Sequence, residues 1–426
     1  MQYDAVIFDL DGTLTDSRQG IVECTRYALQ KEGRPVPSDE ILQLFLGPPL
    51  ADSFMRYCGM NEEEAARATD DYRERYLPIG WRENKVFAGI RPLLRALSEQ
   101  GVYLAVATGK PEHTSIDILR YYGLLQYFDK VAGPTPQDLH ADKGDLIRRV
   151  LPEGKRAVMV GDTAGDIIGA QDAGIDSIAV LYGYGENEKV LSAKPTYAVS
   201  DVEGLQRLLF NKTVTERGFF ISVEGLDGCG KTTQMKTLCA LLDDFGYAVH
   251  TTREPGGCPV AERIREILLA QKENGLTDVA EAILFAASRA QHVHDVIRPC
   301  VQAGKVVISD RFLDSSVAYQ GGGRQLGTEK VLKINEPAVD GCMPDVTVYL
   351  KIDHQTAIAR RVHASQPDRI EQQSDAFFAR VESAYDEMLK LDAERFLVID
   401  GKRTADEVAQ EIRDKLPPML LKRGVL

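Results

Sequence analysis

Residues Phe219–Thr232 read F-F-I-S-V-E-G-L-D-G-C-G-K-T. A short apolar run, Phe219–Val223, has the length and β-branched content of a buried strand. It leads into Gly225–Thr232, which fits G-x-x-x-x-G-K-[ST], and the next residues have the apolar spacing of a helix. Glycines let the backbone curl so that successive N–H groups point inward and hold phosphate oxygens. The helix that opens at Lys231 adds a favourable dipole. In this reading Gly225, Leu226, Asp227, Gly228, Cys229, Gly230, Lys231 and Thr232 form a cradle for a nucleoside triphosphate. Lys231 reaches the β/γ-phosphates and Thr232 the Mg²⁺. Cys229, a thiol beside Lys231 at a helix start, is expected to have a depressed pKa and to react readily.

The same alternation of short apolar runs and helix-like stretches extends in both directions. Strands are expected at Asp4–Leu10, Val102–Ala107, Ala157–Val160, Ser177–Val180, Val306–Ser309 and Val346–Leu350. Helical periodicity fills Ile90–Glu99, Thr232–Phe245 and Val279–Val301. This is the pattern of an α/β protein with mostly parallel sheets. At 426 residues the chain exceeds what one core usually holds, so two domains are expected. The polar stretch N-K-T-V-T-E-R, Asn211–Arg217, marks the junction, giving domains 1–212 and 213–426. Residues 17–86 differ from the rest in being nearly all helical, which makes them an insertion after the first strand.

Composition narrows the classes. The apolar share of 44% and the charged share of 27% are those of a globular protein. The net charge of −13 repels phosphate backbones and anionic lipid, so nucleic acid and membrane surfaces are not expected partners. Seven cysteines, an odd number without a C-x-x-C pair, point to reduced thiols in a cytoplasm. The first residues enter a strand pattern at once, leaving no room for a signal peptide. No apolar run approaches the length that spans a bilayer.

The first strand ends in D-L-D-G-T, Asp9–Thr13. Two carboxylates two residues apart at a strand end can point into one site, and hard oxygen ligands suit Mg²⁺. One can attack phosphorus while the other handles the proton. An Asp-Gly turn after a strand is common by itself. Three further groups strengthen the functional reading: Thr108-Gly109-Lys110, Lys143-Gly144, and Gly161-Asp162 with Asp166. Each follows a strand or opens a helix, where open parallel sheets hold their ligands. A lysine such as Lys110, beginning a helix after glycine, is most often simply solvated.

This set resembles the haloacid dehalogenase-like phosphatases, over Met1 to about Phe210. The resemblance implies a Rossmann-like domain with a helical cap over 17–86. It implies Asp9 as nucleophile and Asp11 as acid/base, with Thr108 and Lys143 holding phosphoryl oxygens. Asp9, Asp11, Asp162 and Asp166 would form the Mg²⁺ site. The cap matches the phosphoglycolate-phosphatase-like branch, and F-L-G-P-P-L, Phe45–Leu50, resembles bacterial 5′-nucleotidase members. A phosphomutase of the β-phosphoglucomutase type carries the same four motifs.

Beyond the phosphate loop stand T-R-E-P-G-G (Thr252–Gly257), L-F-A-A-S-R (Leu284–Arg289), D-R-F-L-D-S-S-V-A-Y-Q-G-G-G-R (Asp310–Arg324) and D-R-I-E (Asp368–Glu371). Phe285 and Arg289 share a helical face, so a ring can stack on a pyrimidine while a guanidinium donates to a base carbonyl. Together these motifs resemble bacterial thymidylate kinase, a P-loop nucleoside monophosphate kinase with a parallel sheet, over about Gly218–Leu416. The resemblance implies a dTMP site of Asp227, Arg265, Phe285, Arg289, Arg311, Tyr319 and Gln320. It implies catalytic roles for Lys231, Asp310 and Arg311. Gly228 stands where some members carry a P-loop arginine, so catalytic arginines are expected in a lid at 354–374, namely Arg361 and Arg369, with Arg360 near them.

The expectation is therefore a fusion: a Mg²⁺-dependent phosphatase followed by a kinase using ATP and Mg²⁺ on small nucleotides. By resemblance it is a homodimer through the kinase half. Two alternatives stay open for the first domain: turnover of phosphoglycolate or a sugar phosphate, and a non-catalytic regulatory module.

Overall fold

The computed structural model describes residues 3–138, 141–214, 216–270, 275–360, 370 and 372–426. It divides into two compact units, Met1–Thr215 with Asp244–Gly246, and Glu216–Asp243 with Tyr247–Leu426.

The N-terminal unit contains β1 (Ala5–Phe8), β2 (Thr15–Asp16), β3 (Lys85–Val86), β4 (Tyr103–Ala107), β5 (Lys130–Ala132), β6 (Ala157–Gly161), β7 (Asp176–Val180) and β8 (Tyr197–Val199). Six of these form one parallel sheet in the order β5-β4-β1-β6-β7-β8. Ala5, Val6, Ile7 and Phe8 of β1 are all fully buried. Successive side chains point to opposite faces, so both faces of the central strand are covered. On one face Ile7, Ala105, Met159, Leu146 and Ile147 share a core.

The insertion after β1 is less uniformly helical than its sequence suggests. Its helices include Arg18–Lys31, Leu50–Cys58 and Glu62–Tyr76, packed around Cys24, Phe45, Phe54 and Ala68. Asn61 and Glu64 close a reciprocal cap at the start of the last of these. The insertion ends in strand: β3 pairs antiparallel with β2, which immediately precedes residue 17, Thr15 opposite Val86 and Asp16 opposite Lys85. Asn84 Nδ2 donates to Thr15 Oγ1 at 3.2 Å beside this ladder.

The C-terminal unit contains β9 (Phe220–Glu224), β10 (Val249–Arg253), β11 (Val306–Asp310), β12 (Val346–Lys351) and β13 (Phe396–Asp400), all parallel, in the order β10-β11-β9-β12-β13. β9 is again central and buried along its whole length. The α/β, parallel-sheet expectation is met in both units. The segment expected as one helix at Val279–Val301 is Asp278–His292, then a π-helical turn Val293–Ile297, then Arg298–Gln302.

One buried ion pair ties the start of β13 to the turn after β11. Arg395 donates to both oxygens of Asp314, at 2.6 and 2.9 Å, and to Thr347 Oγ1 at 2.7 Å. Removing one partner of such a pair strands a buried charge, which typically costs about 3–5 kcal/mol. Arg395→Ala should therefore lower the urea midpoint of the unfolding transition followed by circular dichroism. An unchanged midpoint would show that the pair contributes nothing net.

Candidate active sites

In the N-terminal unit the candidate residues Asp9, Thr108 and Asp162 lie just beyond the carboxyl ends of β1, β4 and β6. Among the described residues, Asp9, Asp162 and Asp166 bring carboxylate oxygens within 4.8 Å of one another, all buried. Each is fixed by local structure. Asp166 belongs to a cap: its Oδ2 accepts from Thr163 N (2.9 Å) and Thr163 Oγ1 (2.7 Å), closing the start of helix Ala164–Asp172. Asp162 Oδ2 accepts from Tyr184 N at 2.7 Å and Gly185 N at 3.3 Å. Gly12, at φ +85°, lets the chain turn against Asp162; a Cβ there would lie 2.3 Å from its Oδ2.

Lys143 opens the helix Lys143–Val150, which Asp142 caps through Asp145 N at 2.7 Å. Its ammonium contacts Asp9 Oδ1 (2.6 Å), Asp166 Oδ1 (2.7 Å) and the Ala107 carbonyl (3.0 Å). Burial, and after it the two neighbouring carboxylates, push the Asp9 carboxyl well above its usual range against the pull of Lys143. Burial and Asp166 push Asp162 up as well. Crowded, desolvated carboxylates of this kind are the donor set of a hard divalent cation, so these residues fit Mg²⁺.

Asp11 stands apart from that cluster. Its Oδ2 pairs with Lys110 Nζ at 2.6 Å, and its Oδ1 is buried without a hydrogen-bond partner among the described residues. The expectation of a solvated Lys110 is corrected: it is buried between Asp11 and the ring of Tyr76, 5.6 Å from the ring centroid. Tyr76 comes from the inserted helix Glu62–Tyr76. Thr108, also buried, lies two residues before Lys110 and accepts from its backbone N–H. Tyr184 adds a group that the sequence did not flag. Its hydroxyl accepts from Ser17 N (2.5 Å) and donates to Asp16 Oδ1 (2.9 Å), at the root of the insertion.

In the C-terminal unit the phosphate loop leaves β9, with Gly225, Gly228 and Gly230 all at positive φ, and the helix Lys231–Asp244 follows. Lys231 Nζ donates to the carbonyls of Gly225 and Leu226 and to Asp227 Oδ1, at 3.2–3.3 Å. Thr232 is exposed on the first turn. Asp227 also receives Arg311 at 2.7 Å. Burial pushes the Asp227 carboxyl up, but Arg311 and Lys231 outweigh it and hold it well below its usual range. Arg311 has φ +73°, a strained conformation for a side-chain-bearing residue, of the kind that costs about 1–3 kcal/mol. Beyond that turn its guanidinium also reaches Ser315 Oγ and lies 5.0 Å over the Tyr319 ring. Asp310, before it, keeps a buried Oδ1 without a hydrogen-bond partner among the described residues.

One pocket is lined by Asp227, Arg265, Phe285, Arg289, Arg311, Tyr319 and Gln320, with Asp310 beside them. Arg289 meets the sequence expectation only in position. Its N–H groups are already taken by Glu254, Ser316, Asn335 and the Phe312 carbonyl, so the guanidinium braces the wall rather than standing free for a base carbonyl. Arg253 and Glu254, both in the quoted T-R-E-P-G-G motif, also line the pocket. Glu224, the last residue of β9, was not foreseen. It accepts from Phe312 N, Ser315 Oγ and Tyr385 OH at 2.6–2.9 Å and so fixes the turn that carries Arg311. The lid arginines Arg361 and Arg369 lie outside the described residues; Arg360 ends the helix His354–Arg360, with Nη2 donating to the Lys402 carbonyl.

Comparison with known proteins follows this division. The haloacid dehalogenase-like hydrolase family model matches residues 6–180, and the thymidylate kinase model matches 223–412. A thymidylate kinase of Halothermothrix orenii is 42% identical over 209 residues, 48% of this chain and 100% of that protein. One from Thermoanaerobacter sp. is 46% identical over 198 residues, 46% of this chain and 97% of that protein. Among solved structures, a hydrolase of the haloacid dehalogenase-like family from Streptococcus pneumoniae is 31% identical, covering 49% of this chain and 98% of that one, with a TM-score of 0.44. A predicted phosphatase from Clostridium acetobutylicum is 39% identical, covering 50% and 100%, with a TM-score of 0.45. The chain belongs to the thymidylate kinase family through its C-terminal half, and its N-terminal half matches the haloacid dehalogenase-like hydrolase family model. It is thus a fusion of a transferase and a hydrolase.

The expected reactivity of Cys229 is overturned by its surroundings. The thiol is buried, and burial pushes its pKa up despite Lys231 and Arg311. Under iodoacetamide, with labelling read by mass spectrometry, Cys229 should modify at least about tenfold more slowly than the half-buried Cys300. Equal or faster labelling of Cys229 would restore the original expectation.

Proposed function

We propose that the C-terminal unit transfers the γ-phosphoryl of ATP to dTMP, and that the N-terminal unit hydrolyses a phosphomonoester through an aspartyl-phosphate. The observation that carries the kinase reading is that all seven residues expected at the dTMP site line one pocket, six toward its interior and Arg289 as a brace of its wall. There Phe285 offers a ring to a base and Tyr319 its ring to the sugar. Arg265 and Arg311 offer guanidinium groups to the acceptor phosphate, and Lys231 lies one loop away. Phosphoryl transfer between nucleotides needs positioning and charge neutralisation and no covalent intermediate. Asp310 and Thr232 would hold Mg²⁺, which would neutralise the β/γ-oxygens. Catalytic lid arginines at Arg361 and Arg369 remain part of the proposal.

In the N-terminal unit, the Asp9 carboxylate attacks phosphorus while the ester oxygen leaves and takes a proton from Asp11. Asp11 then removes a proton from a water, whose oxygen displaces Asp9 and yields inorganic phosphate. Lys143, already on Asp9, and Thr108 hold the phosphoryl oxygens. Mg²⁺ held by Asp9, Asp162 and Asp166 would supply charge neutralisation for the phosphoryl group. The Phe45–Leu50 segment and the fused partner favour a nucleoside 5′-monophosphate as substrate.

We also propose a homodimer through the C-terminal unit. Val260 with Ile267 and Val279 with Ile283 leave an exposed apolar face on the helices Pro259–Leu269 and Asp278–His292. The seven free cysteines favour a reducing, cytoplasmic setting. Among the described residues no helix is long and apolar enough to cross a membrane.

Lys231→Ala should lower dTDP formation by about 10²–10³-fold or more and leave phosphate release intact. Asp9→Asn should do the reverse, and EDTA should silence both until Mg²⁺ returns. Either variant within threefold of wild type in its own assay would discard that assignment. Without ATP, a panel of nucleotides, phosphoglycolate and hexose phosphates identifies the hydrolase substrate. Tenfold better turnover of a non-nucleotide than of every nucleotide refutes the nucleotidase reading. In sedimentation velocity at micromolar concentration the chain should run as a dimer and Ile283→Lys as a monomer; a monomeric wild type rejects the dimer.

A further inference from the structure

Gln320 comes from the π-helical stretch Val317–Gly323 and lines the C-terminal pocket with Phe285. A glutamine amide is ambiguous: it can turn either two N–H donors or a carbonyl acceptor toward a ligand. Here its environment removes the ambiguity. Nε2 of Gln320 lies 2.9 Å from Oε1 of Glu281, and both residues are almost completely buried. A carboxylate only accepts hydrogen bonds, so the NH₂ side of the amide must face it. The opposite orientation would press two buried oxygens together at hydrogen-bond distance.

Glu281 is itself held. Arg324 reaches its Oε2 at 3.1 Å and its Oε1 at 3.3 Å. The guanidinium of Arg324 is in turn fixed by Gln373 Oε1 at 2.9 Å and lies 5.1 Å over the Phe377 ring. Gln320 Oε1 accepts from no group among the described residues, which leaves that oxygen as the part of the amide available to a ligand. Glu281 and Phe285 are one turn apart on the same helix, Asp278–His292. The helix thus carries both a ring that lines the pocket and the carboxylate that holds the Gln320 amide.

We infer that Glu281 is a positioning residue that sets the hydrogen-bond polarity read at the nucleobase edge, by locking Gln320 so that it presents its carbonyl oxygen. The inference rests on the reading of this pocket as a pyrimidine monophosphate site. A presented acceptor pairs with a ring N–H, as at N3 of thymine and uracil. Cytosine offers a lone pair at N3, so two acceptors then face each other. An unmet buried pair of this kind disfavours the wrong base by roughly ten- to a hundredfold.

The test is Glu281→Gln in the full chain, assayed with dTMP and dCMP. The new amide has one acceptor oxygen where the carboxylate had two, so it can no longer hold both Arg324 and the NH₂ of Gln320 in place, and Gln320 is released to turn. The kcat/KM for dTMP should fall about ten- to a hundredfold, mainly through KM, while that for dCMP rises. The KM for ATP should stay within twofold. General damage to the fold would depress both substrates together and leave their ratio unchanged, so the ratio separates positioning from mere structure. Glu281→Asp, which keeps an acceptor-only group, should retain the dTMP preference. On the wild-type enzyme dUMP, which has N3–H but no methyl group, should be used at least tenfold better than dCMP; this arm stands even if the glutamine variant does not fold. A wild type that phosphorylates no dTMP overturns the functional reading of the pocket. A wild type active on dTMP, with either an unchanged dTMP:dCMP ratio in a folded Glu281→Gln variant or equal use of dUMP and dCMP, overturns the role of Glu281 alone.

Discussion

A sheet covered on both faces has no room for charge along its central strands. Every side chain there points into a core, and an unpaired ion would be far too costly to bury. The rest of this protein follows from that restriction. β1 is apolar through its length and β9 carries no charge before its last residue; the candidate groups stand at the carboxyl ends of the two strands: Asp9 directly after β1, and Glu224 with the phosphate loop at the end of β9. The neighbouring strands stop at the same edge, so their loops meet there. That is why groups more than a hundred residues apart, such as Asp9 and Lys143, come within 2.6 Å.

At both edges the candidate side chains are aimed by ordinary secondary-structure chemistry. Asp166 is at once a member of the carboxylate cluster and the third residue of a helix cap, so closing the helix start also orients the carboxylate. Lys143 and Lys231 are each the first residue of a helix, where the chain direction is fixed and a cation must find acceptors nearby. Lys143 finds Asp9 and Asp166, and Lys231 finds Asp227 and two loop carbonyls. The two units thus arrive at the same pairing of a buried lysine and an aspartate from unrelated loops, one held by carboxylates and the other by backbone.

How much of this was legible in the sequence follows from the same restriction. The seven strands expected from apolar runs are β1, β4, β6, β7, β9, β11 and β12, all interior to their sheets. Those missed from the two parallel sheets, β5, β8, β10 and β13, are the four edge strands. An interior strand must be apolar on both faces and so reads as a continuous run, whereas an edge strand such as V-H-T-T-R, Val249–Arg253, is partly solvated and reads as loop. Site residues divide in a similar way. Those inside compact motifs, from Asp9 to Gln320, could be named. Glu281, Glu224 and Tyr184 could not, because each acts by touching another side chain, and contact across the fold leaves no local pattern. Cys229 was misjudged for the reverse reason: the local motif suggested an activated thiol, and the packing around it decides otherwise.

The short ladder between β2 and β3 has a consequence for how the N-terminal unit tolerates change. It brings Thr15 and Val86 side by side, so the core meets the whole insertion as the closure of one loop. Closure entropy grows only slowly with length, by about 0.6 kcal/mol for each doubling. The helices beyond the ladder pack around a hydrophobic centre of their own. Away from Tyr76, which packs on Lys110, they can therefore lengthen or shrink with little penalty to the sheet below. The inserted helices are in this sense a separately editable part, joined to the sheet by two residues of strand on each side and by the contact of Tyr76 with Lys110.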